Sequence, residues 1–192
     1  MFSVIFPGQG SQSVGMAKDL YNKFNTVKDL FSKADDTLNF SITKLILEGP
    51  SEKLNETENT QPAIFLVGFS IFQLIKKDFG IELNKAQYFA GHSLGEYTAL
   101  ACAGVLHFSE TLNLLRKRGQ SMQESVPKGE GGMAAVLGLD CNSLEKIIEK
   151  NLINIEVAND NSPKQVVISG IIDDLKKAEE ILIKSGAKKI VY

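Results

Sequence analysis

The sequence predicts an α/β protein in two parts, residues 1–127 and 128–192, and three observations carry that prediction. A short apolar run at 2–6 stops at the turn residues Pro7, Gly8, Gln9 and Gly10, which is the grammar of a buried strand entering a sharp turn. A second strand pattern, at 86–90, leads through Gly91-His92-Ser93-Leu94-Gly95 into an Ala-rich helical stretch. Beyond a glycine-rich hinge at 127–132, segments of strand and helix period alternate in the order β-α-β-β-α-β.

In chain order, the strand at 2–6 is followed from 16 to 55 by a polar helical pattern, broken at Asn25, Asn39 and the Gly49-Pro50 pair. Thr60 is the expected N-cap of a long helix, with Pro62 tolerated in its first turn and Gly80 as its stop. That helix is apolar on most sides and is expected to be buried. After the strand at 86–90 come an Ala-rich helix at 94–105 and an amphipathic one at 109–126. In the second part, strands are expected at 133–139, 153–158, 165–169 and 188–192. A helix at 142–150, where Glu145 is placed to complete a capping box, and another at 172–185, stopped by Gly186, separate them. The turn between the middle strands is expected at Asn159 to Pro163. This is a split βαβ, or ferredoxin-like, unit. The first part is less self-sufficient, because two strands make a poor sheet unless others pair with them.

Composition narrows the function. Hydrophobic residues make up 43% and charged residues 23% of the 192, the balance of a soluble globular protein. The net charge of -2, with 21 basic against 23 acidic side chains and no long run of one sign, gives no electrostatic case for nucleic acid or a membrane surface. The longest apolar stretch, 62–75, is too short to span a bilayer and is interrupted by Ser70 and Gln73. The first six residues lack the basic region of a signal peptide. Cys102 and Cys141 lie far apart, and with two histidines they offer no metal-site spacing. A reducing, cytoplasmic setting is expected.

The strongest chemical signal is the G-x-S-x-G at Gly91 to Gly95, between a strand and a helix. In that context the flanking glycines let the backbone turn sharply and lift the Ser93 hydroxyl to a helix N-terminus, where free N–H groups favour developing negative charge. Acyl transfer needs two such donors on the carbonyl oxygen. Leu94, the residue after the nucleophile, can supply one, and Gln9 in the loop after the first strand is the candidate for the other. Standing alone, that loop reads equally well as an ordinary glycine-rich turn. It has no G-x-x-x-x-G-K-[ST], which argues against a phosphate loop.

Several runs together resemble the malonyl-CoA:acyl carrier protein transacylases: Phe6-Pro7-Gly8-Gln9-Gly10-Ser11-Gln12, Thr60-Gln61-Pro62-Ala63, Ala90-Gly91-His92-Ser93-Leu94-Gly95-Glu96-Tyr97 and Ala101-Cys102-Ala103-Gly104. Arg118-Gly119, Met122-Gln123, Gly132-Met133-Ala134-Ala135, Asn161-Ser162-Pro163 and Gln165-Val166-Val167-Ile168-Ser169-Gly170 continue the resemblance in the same order along the whole chain. It implies an α/β-hydrolase-like large subdomain, incomplete here, carrying a ferredoxin-like small one. It implies Ser93 as acyl-carrying nucleophile, Gln9 and Leu94 as oxyanion donors, and Arg118, His92 and Asn161 on the substrate side. Arg118 would hold the malonyl carboxylate, since a guanidinium offers a planar two-donor fork that a lysine lacks. By its residues alone, Arg118 reads instead as part of a solvated basic helix face beside Arg116 and Lys117. Asn161 is equally explained by an Asn-Ser-Pro turn.

The implied reaction, in fatty acid biosynthesis, passes malonyl from malonyl-CoA to Ser93 and then to the phosphopantetheine thiol of acyl carrier protein, with no metal or bound redox cofactor and with the protein a monomer. A serine nucleophile also needs a base. His92 adjoins Ser93 and its side chain is expected to point away from it, while His107 lies beyond the far end of the following helix, about 20 Å off at 1.5 Å per residue. The resemblance implies a base histidine in a segment after the ferredoxin-like unit, so the chain reads as a truncated N-terminal portion, with its activity impaired or lost. Three other readings stay open: a serine esterase or thioesterase on the same elbow, a non-catalytic fragment that binds acyl-CoA or the carrier protein, and a related acyltransferase domain of a larger synthase.

Overall fold

The computed structural model describes residues 1–126 and 129–192, so Pro127 and Lys128, where the expected hinge and boundary fall, lie outside the described residues. The chain divides into two compact units, Met1–Ser125 and Val126–Tyr192.

In the first unit, β1 (Ser3–Phe6) pairs in parallel with β2 (Tyr88–Gly91), Ser3 opposite Tyr88 and Phe6 opposite Gly91. Between them run α1 (Lys18–Lys23), α2 (Asn25–Leu38), α3 (Ile42–Glu48), α4 (Ser51–Leu54) and α5 (Thr57–Lys77). After β2 come α6 (Leu94–Cys102) and α7 (Phe108–Glu124). The breaks read from Asn25, Asn39 and Gly49-Pro50 all fall at helix ends, Asn39 adopting the left-handed conformation that closes α2. The core gathers around α5, where Phe65 and Leu66 are fully buried with Phe31 of α2 and Leu112 and Leu115 of α7. Each such side chain contributes about 1.5–3 kcal/mol. The rings of Phe65, Phe69 and Phe108 lie within 5.1 to 5.7 Å of one another and lock α5 to the start of α7.

The start of α5 corrects the sequence expectation. The helix begins at Thr57, so Thr60 is not its cap: the Thr60 hydroxyl is buried and donates to the Leu54 carbonyl at 2.6 Å. Pro62 therefore sits inside the helix, where it cannot donate to the carbonyl of Glu58. Arg116 of α7 fills the gap, its Nη1 donating to that carbonyl at 3.0 Å. A tertiary donor thus permits a proline that helix rules, applied locally, confine to the first turn.

The second unit orders its elements β3 (Gly131–Leu137), α8 (Cys141–Asn151), β4 (Ile155–Ser162), β5 (Gln165–Ile171), α9 (Ile172–Lys184) and β6 (Lys189–Val191). The strands form one antiparallel sheet in the order β4-β5-β3-β6. Alternation along the strands buries Ala134 and Val136 beside their partners Ile168 and Val166, and Leu144 of α8 with Leu175, Ala178 and Leu182 of α9 complete this core.

Two expectations fail here. The turn foreseen at Asn159 to Pro163 is mostly strand, since β4 continues to Ser162 through two register shifts that absorb its irregular polar end. The cap of α8 is Asp140, whose carboxylate accepts the Ser143 N–H at 2.9 Å and the Ser143 hydroxyl at 2.7 Å. Glu145 therefore does not close a capping box.

Candidate active site

Ser93 stands at the junction of β2 and α6 with φ 54° and ψ -114°, a conformation a side-chain-bearing residue adopts only when its surroundings impose it. The two glycines of the motif show what imposes it. A Cβ on Gly91 would lie 2.0 Å from the Gly95 carbonyl, and one on Gly95 would lie 2.5 Å from the Phe6 carbonyl oxygen and 2.7 Å from that of Pro7. The strand end, the turn and the helix start are thus in backbone contact, possible only without side chains. Ser93 is thereby held at the N-terminus of α6. Gly95 and Glu96 donate their N–H groups to the His92 and Ser93 carbonyls, whereas Leu94, as first helical residue, has no intrahelical acceptor.

The loop after β1 abuts this elbow. A Cβ on Gly8 would meet both Nδ1 and the carbonyl oxygen of His92 at 2.9 Å. Gln9 follows directly, its side chain donating to Thr57 Oγ1 at 3.4 Å, and Gln12 both accepts the Gly10 N–H at 2.8 Å and donates to Asn55 at 2.9 Å. The loop is therefore tied to the first residue of α5 and to Asn55 just before it on one side, and to the elbow on the other. His92 packs its ring on this loop, and His107 precedes α7 as its N-terminal flanking residue.

Arg118 does not lie on a solvated basic face. Its Nη2 donates to Ser93 Oγ at 3.2 Å, its Nη1 to Gln61 Oε1 at 2.6 Å, and its guanidinium carbon stands 5.6 Å from the centre of the Tyr97 ring. The approach of α7 to α5 that allows this is as close as backbone permits: a Cβ on Gly119 would lie 2.5 Å from the Cα of Glu58. Arg116 takes the other side of α5, where it pairs with Glu58 at 3.1 Å, donates to Asn59 Oδ1 and covers the Phe40 ring. So Arg116 serves the fold, and Arg118 reaches the candidate nucleophile.

Neither cysteine competes for that role. Burial pushes the Cys102 thiol up to about 12, and Cys141 is raised by desolvation and then by the negative charges of Glu145, Asp160 and Asp140. Asn161 belongs to the second unit, where it lies on β4 and lines a hollow of about 450 Å³ beside the start of α8.

Three residues of the site carry no role in the sequence reading. Gln61, fully buried in α5, was legible only as a polar residue inside an apolar helix, the kind of burial that demands a partner. Tyr97 and Gly119 carry no local signal of their contacts with Arg118 and with α5.

A family model described as acyl transferase domain matches residues 3–191. The chain belongs to the acyl transferase domain family. As an acyl transferase domain it is similar to the malonyl CoA-acyl carrier protein transacylase of Bacillus subtilis (strain 168), 43% identical over 192 residues, covering 97% of this chain and 59% of that protein. With the protein of the same name from Escherichia coli (strain K12) it shares 40% identity over 190 residues, 98% of this chain and 60% of the relative. The chain thus spans about three fifths of the length of these curated relatives. Among solved structures, the malonyl CoA-acyl carrier protein transacylase from Coxiella burnetii matches with a TM-score of 0.90 at 41% identity, over 98% of this chain and 60% of that one. A malonyl-transacylase in complex with its type II PKS acyl-carrier protein matches with a TM-score of 0.88 at 38% identity, over 99% and 61%. The acyl transferase domain is thus a mixed α/β chain with malonyl-transacylase neighbours, and none of its helices among the described residues is long and apolar enough to cross a membrane.

Proposed function

We propose that this acyl transferase domain carries the acylation machinery of a malonyl-CoA:acyl carrier protein transacylase of fatty acid biosynthesis, with Ser93 as nucleophile. The observation that carries the reading is the hydrogen bond from Arg118 Nη2 to Ser93 Oγ, 3.2 Å long. It puts a carboxylate-binding fork beside the hydroxyl that would hold the acyl group. Residues 1–127 act as the α/β-hydrolase-like subdomain and 128–192 as the ferredoxin-like one, a reading supported for the latter by its β-α-β-β-α-β order and its β4-β5-β3-β6 sheet.

In the first step Ser93 Oγ attacks the thioester carbonyl of malonyl-CoA while its proton passes to the base histidine that the family resemblance implies after the ferredoxin-like unit. The N–H groups of Leu94 and Gln9 receive the oxyanion, each worth about 3 kcal/mol in the transition state. The C–S bond then breaks, and CoA leaves as the thiol after taking up a proton. In the second step the phosphopantetheine thiol of acyl carrier protein, losing its proton, attacks the malonyl-serine ester, and Ser93 Oγ is reprotonated as it leaves. Arg118 holds the distal carboxylate throughout, so a malonyl group is retained in preference to acetyl. His92 supports the elbow from the substrate side, and Asn161 is assigned to the substrate side from the small subdomain. Neither His92, packed on Gly8, nor His107, beside the start of α7, is assigned as base. The protein acts as a cytoplasmic monomer on malonyl-CoA and acyl carrier protein.

Incubation with malonyl-CoA followed by intact-mass measurement tests this directly. A malonyl adduct that is absent from Ser93→Ala is expected, formed slowly because neither histidine of this chain is assigned as the base. An adduct that survives Ser93→Ala, or no adduct at all, contradicts the proposal for this chain.

A further inference from the structure

We infer that Gln61 is a specificity-determining positioning residue: its neutral amide holds Arg118 in place without cancelling the charge that an acyl carboxylate is to meet. This rests on the reading of Arg118 given above.

The two arginines that reach α5 from α7 form an internal comparison. Arg116 meets a carboxylate, that of Glu58 at 3.1 Å, together with the Glu58 carbonyl and Asn59, so its charge is balanced within the fold. The partners of Arg118 among the described residues are the Gln61 amide, the Ser93 hydroxyl and the Tyr97 ring, none of them a carboxylate. The orientation of the Gln61 amide is fixed by chemistry. A guanidinium only donates, so the atom 2.6 Å from Nη1 is the carbonyl oxygen, and the amide nitrogen is left with the weak acceptor Met122 Sδ at 3.1 Å. Gln61 itself is fully buried, so its side chain cannot swing out to water and release the arginine.

One strong neutral acceptor therefore sets where the guanidinium lies, while no carboxylate among the described residues matches its positive charge beside Ser93. A glutamate of the same shape at this position would make the same contact and also satisfy the charge, leaving less for an incoming carboxylate to gain. The amide thus keeps Arg118 able to separate a malonyl-type thioester from an acetyl one.

The test is calorimetric binding of malonyl-CoA and of acetyl-CoA to the full chain in a Ser93→Ala background, so that nothing is acylated. The parent is expected to bind malonyl-CoA at least about tenfold more tightly than acetyl-CoA. Gln61→Glu should keep the thermal midpoint of the parent yet bring the two affinities within about twofold of each other. Gln61→Met, which keeps the length and removes the acceptor, should also lose most of the preference. If both Gln61 variants retain the parent's ratio, Gln61 is a structural residue only and the inference falls, even if one of them is destabilised. Arg118→Ala separates this from the reading beneath it: loss of preference there but not in the Gln61 variants sinks the inference alone. A parent without preference, or a preference surviving Arg118→Ala, sinks both.

Discussion

At Gly95 a Cβ would come within 2.5 Å of the Phe6 carbonyl oxygen, and at Gly91 within 2.0 Å of Gly95. Neither contact can be relieved by rotating a side chain, because both obstacles are backbone. Gly95→Ala is therefore expected to cost at least about 3 kcal/mol, read as a lowered urea midpoint, and to release Ser93 from its strained φ of 54°. A variant as stable as the parent would mean that the strand end and the helix start are not in contact. This part of the site was legible in the sequence, because G-x-S-x-G encodes its own geometry within five residues. Arg118 was legible only as one of two readings, and the contact with Ser93, 25 residues away, argues against the solvated face. Gln61 and Tyr97 were illegible as site residues, since nothing near them in sequence says which side chain another helix will bring.

The elements themselves followed from period and punctuation, and their ends less well. The start of α5 was misplaced because Pro62 depends on a hydrogen bond from Arg116 to the Glu58 carbonyl, which no local rule contains. The cap of α8 was missed because Glu145 suggested a capping box, whereas the Asp140 carboxylate accepts from Ser143. That cap makes a pH prediction. The hydroxyl of Ser143, and then its N–H, hold the Asp140 carboxyl below the usual carboxylate range. The folded state therefore binds the proton less readily than the unfolded one, whose value is about 3.9. The contribution is fully present above that value and is lost as pH falls through the depressed one. Asp140→Ala should accordingly lower the urea midpoint near neutral pH, and its deficit should shrink as pH drops below about 4. A deficit that stays constant into acid would show that the carboxylate form is not what caps the helix.

The whole chain holds two units with separate cores, one around α5 and one between a four-stranded sheet and α8 and α9. The second core draws only on its own elements, so residues 129–192 produced alone should fold, with the dispersed amide spectrum of an ordered sheet; a collapsed spectrum would show that the core is not self-contained. The first unit has two strands, as its sequence indicated, and their pairing in parallel brings Gly91 opposite Phe6 and so joins the elbow to the loop that carries Gln9. That juxtaposition and the reach of Arg118 to Ser93 make one claim: a serine nucleophile that selects acyl groups bearing a carboxylate. The most direct test is the rate at which Ser93 becomes malonylated by malonyl-CoA relative to acetylated by acetyl-CoA, followed by intact mass in the parent and in Arg118→Ala. Two charge-assisted hydrogen bonds, worth about 3 kcal/mol together, predict that the ratio favours malonyl in the parent and falls about 100-fold in Arg118→Ala. A ratio unchanged by Arg118→Ala would contradict the account.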